Sequence, residues 1–386
     1  MPGEAGQQAQ TTRCRPGRDT VGGDDYGERV VRWRSGRVLG ERCRWRGAIE
    51  YQVRLDARSP DDPETVRALA YPDLVGTPQV GDRVLLNTNA LALSLGTGGY
   101  ALVVAVPDRL PADPAGPGHV VKARYTPLQA VVQAVDEDGA PHRDAVAGAD
   151  DLAGMPVVLA DLHSALPAVL AAIPAPIPVA YLMTDGGALP AWFSRTLDGL
   201  SDRLCGVVTA GQAFGGDLEA ATVHAGLLAC RYALGAEITI VSQGPGNLGT
   251  GTRWGYSGVA VGEAVNAVAV LRGRPIGSLR ISDADPRPRH QGLSHHSRTA
   301  YGRVALAAAD LVVPTGLAPA LAERVAADLQ ELPARHRIVE VDTTGLLDAL
   351  RASPVRLSTM GRGLDADTGY FLAAAAAGRH AVDLLA

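Results

Sequence analysis

The stretch Ser282-Asp-Ala-Asp-Pro-Arg-Pro-Arg-His-Gln-Gly-Leu-Ser-His-His296 holds two Asp, two Arg and three His, in a chain with only nine His. A segment that merely turns the chain uses Gly, Pro, Asn or Ser. Here ionisable groups are added, and each type suggests a chemistry. Arg287 and Arg289 offer planar forks suited to carboxylate or phosphate. Pro286 and Pro288 stiffen the backbone that carries them. Histidine carries protons near neutral pH and ligates metals, and the stretch supplies His290, His295 and His296. His295 and His296 are adjacent, so their side chains diverge. One can reach a site while the other packs.

Ligands of an open α/β sheet bind outside the carboxyl ends of its strands. Five short runs rich in Val, Ile and Leu read as such strands: 157–160, 179–183, 206–209, 238–241 and 276–281. Asp161 and His163 follow the first, and Asp185 follows the second. A turn from Gln212 to Asp217 follows the third, a Gly-rich loop the fourth, and the His-rich stretch the fifth. Three readings stay open. Asp161, His163, Asp185 and His295 can form a mixed His/Asp site for a divalent metal, although no HxH or HExxH spacing supports it. Without a metal, His163, Asp185, His295 or His296 can move protons beside an anion held by Arg287, Arg289 and His290. In the third reading these groups form salt bridges alone. Asp217 and Ser164 are also placed to cap helices, and His224 reads as a packed or surface residue.

The loop Gly244-Pro-Gly-Asn-Leu-Gly-Thr-Gly-Thr252 contains GxGxxG after a strand. It does not read as a dinucleotide fingerprint. The residues after it do not open a helix, and no acidic residue ends the next strand about 20 residues on. Gly244, Gly246, Asn247, Gly249, Thr250 and Thr252 can instead cradle an anion through N–H groups and hydroxyls. Trp254 and Tyr256 either wall that pocket or anchor the loop. Lys122 is the only lysine beside 35 Arg. Codon bias toward Arg explains the imbalance. An amine that can lose its proton or form a Schiff base makes Lys122 a further catalytic candidate.

These groups need elements to hold them. Residues 1–27 lack periodicity and read as a disordered extension or an overlong start. Residues 28–135 read as short strands and turns, hence a small β-barrel or sandwich. Residues 136–155 form an acidic linker. From 156 to 386 strands alternate with helices, which gives a Rossmann-like α/β domain: a mostly parallel sheet with helices on both faces. The helices are placed at 164–173, 190–200, 217–234, 259–271, after 297, and at 317–332 and 370–385. Late strands are placed near 311–313 and at 337–342.

Composition bounds the rest. Apolar residues at 46% supply a substantial core. A net charge of -5 argues against a broad polyanion-binding surface, though not against a local basic pocket. Four scattered Cys without a CxxC pair disfavour a disulfide framework and a Cys zinc site. No run of eighteen apolar residues and no secretory h-region occurs, so a cytoplasmic location is the default.

Several motifs together resemble a family of bacterial proteins catalogued as domain of unknown function 3866. They are Tyr71-Pro-Asp-Leu-Val-Gly76, Val80-Gly-Asp-Arg-Val-Leu-Leu-Asn-Thr88, Leu95-Gly-Thr-Gly-Gly-Tyr100 and Gly118-His-Val-Val-Lys-Ala-Arg-Tyr-Thr-Pro-Leu-Gln129. Met183-Thr-Asp-Gly186, Phe214-Gly-Gly-Asp-Leu-Glu219, the Gly244 to Thr252 loop and Asp285 to His296 complete the set. The resemblance covers nearly all of the chain beyond about residue 29. It implies an identity and no activity. It places Lys122 in a motif with His119 and Arg124, near the end of the barrel, where they can face the α/β domain.

The expected function is an enzyme acting on a small anionic substrate, phosphorylated compounds included, by hydrolysis or group transfer. The alternative is a nucleotide- or metabolite-sensing module without catalysis. A divalent metal is the one cofactor considered. Nucleic acid and membrane are set aside as partners, and a homo-oligomer is left open.

Overall fold

The computed structural model describes residues 31–56, 59–60, 62–93 and 99–386. The extension read over residues 1–27, and residues 95–98 of the Gly-rich turn, lie outside the described residues.

Five strands close a barrel: β1 (Trp33–Trp45), β2 (Ala48–Leu55), β3 (Thr65–Ala70), β4 (Arg83–Asn87) and β5 (Ala101–Ala105). The order is β1-β2-β3-β5-β4, closed by pairing of β4 with β1, and β3 runs parallel to β5. That is the Greek-key order of an OB-type barrel. Alternation along β2 sends Ile49, Tyr51, Val53 and Leu55 into the barrel core. Two register shifts, at Val38/Gly40 and Glu41/Cys43, carry β1 on to Trp45. These bulges break the alternation that marks a strand. β3 carries a weak strand signal, since two of its six residues are Ala. Val120–Lys122 (β6) and Ala130–Val132 (β7) form a separate antiparallel hairpin.

The second region is an eight-stranded sheet of β8 (Pro156–Ala160), β9 (Val179–Thr184), β10 (Gly206–Ala210), β11 (Leu218–Ala220), β12 (Ile238–Gln243) and β13 (Arg274–Ser278), followed by two later strands. A short antiparallel pair, β14 (Ile281–Ser282) and β15 (Gly292–Leu293), precedes those two, β16 (Asp310–Pro314) and β17 (Arg337–Val341). The order is β11-β10-β9-β12-β8-β13-β16-β17, and every pair is parallel. One face packs on the helix Ala260–Val270, the other on Leu166–Ala171 and Thr368–Asp383. The chain is therefore an α/β protein with a Rossmann-like sheet behind a small barrel. It leaves β8 toward β9 on one side and leaves β12 toward β13 on the other. The loops after these two adjacent strands part, which creates the crevice where open sheets hold ligands. Asp161, Gln243, Ser257 and Gly258 line it.

Four local expectations are corrected. The helix placed at 217–234 begins as strand β11, and helix starts only at Val223 under a Thr222 cap. Asp217 is no cap; it accepts the Val207 N–H at 2.8 Å and pairs with Arg46. Ser164 makes no cap bond either, but meets Thr359 and Tyr370. The helix at 190–200 is split at Ser194, which caps Arg195–Gly199. The barrel docks through Trp45, whose indole N–H donates to the Trp192 carbonyl at 2.7 Å. No helix among the described residues is long and apolar enough to cross a membrane.

Candidate metal and anion site

The pairing of β14 with β15 closes the base of the His-rich stretch, making residues 283–291 a loop on the sheet rim. Ser294 then caps the helix His295–Thr299 by accepting the His296 N–H. Closure and cap together bring three imidazoles into one cluster. One ring nitrogen each of His290, His295 and His296 lies within 4.8 Å of the others. Ring centroids stand 4.5 to 4.9 Å apart. Among the described residues this is the one group of three or more His, Cys, Asp or Glu placed to share a metal.

The outer nitrogens are held. His290 Nδ1 meets the Ser294 hydroxyl at 2.7 Å. His296 Nδ1 lies 3.3 Å from an Asp161 oxygen and 3.3 Å from Arg280. A proton on Nδ1 goes to Asp161 and leaves Nε2 as a lone pair, the tautomer a metal selects. Without that proton, Nδ1 accepts from Arg280 instead. His295 Nε2 is buried and has no hydrogen-bond partner. Such an orphan is costly in a native interior and calls for an explanation. Tyr256 stacks flat on His296, with centroids 3.7 Å apart and planes 6° apart, and its hydroxyl donates to the His296 carbonyl.

Burial and nearby cations disfavour a proton on two of the three rings. Burial, aided by Arg280 and Arg287, pushes His290 down to about 2. Burial, with His296 and Arg289 nearby, pushes His295 down to about 4. Both rings are therefore neutral ligands at neutral pH.

Behind them runs a buried ionic network. Arg280, 3% exposed, reaches Asp161 and Asp285. Asp285 also receives a two-pronged fork from Arg287 and a bond from Arg362. Burial opposes its charge, yet the Arg287 fork holds its carboxyl well below the usual range. Arg362 continues to Asp367, which also accepts from Ser282. Three Arg face three Asp. Arg280 could have been found in the sequence, since it is a lone charge between Leu279 and Ile281 in an apolar run. Arg362 and Asp367 carry no such signal, because they arrive from about 80 residues away.

The candidate residues are not all brought together. His163 is enclosed by Tyr181 and Ser194, at 2.8 and 2.7 Å, and burial pushes it down to about 4. Asp185 is exposed and accepts the Gln212 N–H at 2.8 Å. The mixed set of Asp161, His163, Asp185 and His295 is thus replaced by three imidazoles, with Asp161 behind one of them. Strand order explains this: β12 and β8 separate β9, which carries Asp185, from β13. Lys122 is fully buried, and its ammonium donates to the carbonyls of Ala213 and Ala220 and stands 3.5 Å from Glu219. It pins the β6–β7 hairpin to the sheet edge and faces no site.

The two Arg differ. Arg287 is spent on Asp285, whereas Arg289 is exposed and makes no hydrogen bond among the described residues. A methyl placed on Gly251 would lie 3.7 Å from the Arg289 guanidinium, so the Gly-rich loop runs beside it. Thr250 and Thr252 present exposed hydroxyls there, bonded to each other. Asn247 points inward to Gln243 and Ser257. Gly244 backs onto Ala188, where any side chain would collide with the carbonyl at 2.3 Å. Gly246 has a positive φ of 91°, and Gly249 bridges to Tyr256. The helix begins at Ser257, beyond the GxGxxG pattern.

The chain thus joins a small barrel to a parallel α/β sheet whose rim carries three clustered imidazoles and Arg289, which has no partner among the described residues. The chain belongs to the family described as protein of unknown function (DUF3866), which it matches over residues 67–378. The match takes in the whole His site and leaves β1 and β2 outside, so it starts later than the resemblance implies. No curated protein and no solved structure matches the chain.

Proposed function

We propose that the chain is a divalent-metal-dependent enzyme that hydrolyses a small anionic substrate. The observation that carries this is the unpartnered, buried Nε2 of His295 beside two further imidazoles whose Nδ1 atoms are already engaged. Three neutral ligands and an open fourth position are the pattern of a catalytic zinc site. Two nitrogens about 2.1 Å from one tetrahedral ion stand about 3.4 Å apart. The three rings would therefore draw together on binding from the spacing of up to 4.8 Å they have here.

A divalent ion held there supplies Lewis acidity and lowers the pKa of its water toward neutrality. His290, His295 and His296 bind it. Asp161 orients His296 and fixes its tautomer, and Ser294 does the same for His290. Arg289, with the Thr250 and Thr252 hydroxyls, receives the substrate's anionic group. Tyr256 couples the Gly-rich loop to the metal ligands, so the anion subsite and the cluster keep a fixed spacing.

Metal analysis and zinc calorimetry on the full chain test this. One equivalent should bind, and His295→Ala should weaken binding at least tenfold without lowering thermal stability, since it removes an orphaned polar atom. His163→Ala should leave zinc affinity unchanged. Failure to bind zinc, manganese or cobalt refutes the proposal. Tight metal binding without turnover of any phosphate or carboxylate ester tested would shift the reading to a sensing module.

A further inference from the structure

The net charge of -5 hides one basic face. On the outside of the barrel, Arg37 of β1 stands directly opposite Arg54 of β2, and both are exposed. Like charges in that position weaken a sheet. Further along, Arg67 of β3 pairs with Gln52. Arg42, Arg67 and the sheet domain's Arg195 all converge on Glu50. Three guanidiniums thus share the Glu50 carboxylate, while Arg37 and Arg54 stand beyond its reach, with Asp56 two residues after Arg54. Those around Glu50 are pre-set rather than loose. Arg67 lies over the Tyr100 ring at 4.4 Å and Arg195 over Trp45 at 4.5 Å. Their side chains remain 41% and 51% exposed.

We propose that this face binds the sugar-phosphate backbone of a single-stranded nucleic acid. Arg54 and Glu50 are separated by about 13 Å along β2, at about 3.3 Å per residue. Arg195 extends the row onto the second region. A single small anion occupies one or two forks. A row of five forks over this length matches an anion that repeats. The face lies apart from the His cluster and shares no residue with it, so the inference stands independently of the metal reading.

Fluorescence anisotropy of the full-length protein with labelled twelve-nucleotide oligo-dT tests it. Four phosphate contacts predict a slope near -2.8 for log affinity against log salt, at about 0.7 per contact, which is roughly 50-fold weaker binding at 200 than at 50 mM salt. The double variant Arg37→Gln/Arg54→Gln should bind at least tenfold more weakly with unchanged melting temperature. Arg351→Gln, an exposed arginine outside the face, should bind like the parent. Absence of binding at 50 mM salt overturns the proposal, as does parental affinity in the double variant. Displacement by inorganic phosphate beyond the effect of matched sodium chloride also overturns it, assigning the face to a small anion.

Discussion

The pH dependence of metal binding discriminates a pre-set site from an ordinary His cluster. Protons compete with metals for imidazole nitrogens. An imidazole with a pKa of about 6.5 loses about tenfold in metal affinity between pH 7.5 and 5.5. Three such ligands together lose about 1000-fold. Burial holds His290 near 2 and His295 near 4, so neither takes up protons in that window. Both therefore drop out of the competition, and a single remaining ligand can lose no more than about 100-fold over two pH units. Zinc affinity should fall by less than about 100-fold between pH 7.5 and 5.5, against about 1000-fold for three ordinary imidazoles. The assay is chelator competition in a non-coordinating buffer, with circular dichroism confirming the fold at each pH. A loss of 100-fold or more would refute the claim that the cluster is neutral in the folded protein.

Three further outcomes follow from named contacts. Lys122→Ala leaves two buried carbonyls without their donor and Glu219 without its counter-charge, although Thr209 and Gly215 still donate to Glu219, and urea unfolding should show a loss of about 3 kcal/mol with zinc affinity intact. Acid should weaken the fold through His163, whose folded pKa of about 4 lies below the unfolded 6.5. The unfolded chain binds the extra proton, so this stabilisation is complete above pH 6.5 and is lost as pH falls toward 4. A shift of 2.5 is about 3 kcal/mol, and His163→Gln should flatten that limb in urea titrations across the range. Arg289→Ala should change stability by less than about 0.5 kcal/mol, whereas Arg287→Ala strips a fork from buried Asp285 and should destabilise by about 2 kcal/mol or more; thermal melts of the two variants read the difference.

The sheet was legible because strands buried on both faces read as unbroken apolar runs. Pro156–Ala160 and the first five residues of Val179–Thr184 do so, and in Ile238–Gln243 only Thr239 interrupts the first four residues. Leu218–Ala220 was not, because Glu219 interrupts it and is answered by Lys122 from a distant hairpin. The three imidazoles were visible because one loop carries them. Their partners were not, because strand order decides which rim residues meet, and that order depends on long-range pairing. Asp161 joins His296 since β8 neighbours β13, while Asp185 on β9 is two strands further off.

The charge balance of the rim bears on substrate choice. Arg280, Arg287 and Arg362 are matched by Asp161, Asp285 and Asp367, so the network behind the cluster is neutral as a whole. His290 and His295, both held below the usual imidazole range, add no charge at neutral pH. A divalent ion bound to them would keep both of its positive charges, unlike one held by carboxylates. Arg289, without an acidic partner among the described residues, adds a third on the solvent side. A cationic or neutral substrate gains nothing from that field, and an anion does. The preference for an anion thus rests on the neutrality of the ligands, and replacing one by a carboxylate tests it. His295→Asp should keep the metal while weakening anion inhibition of the loaded protein, and unchanged inhibition would break the link.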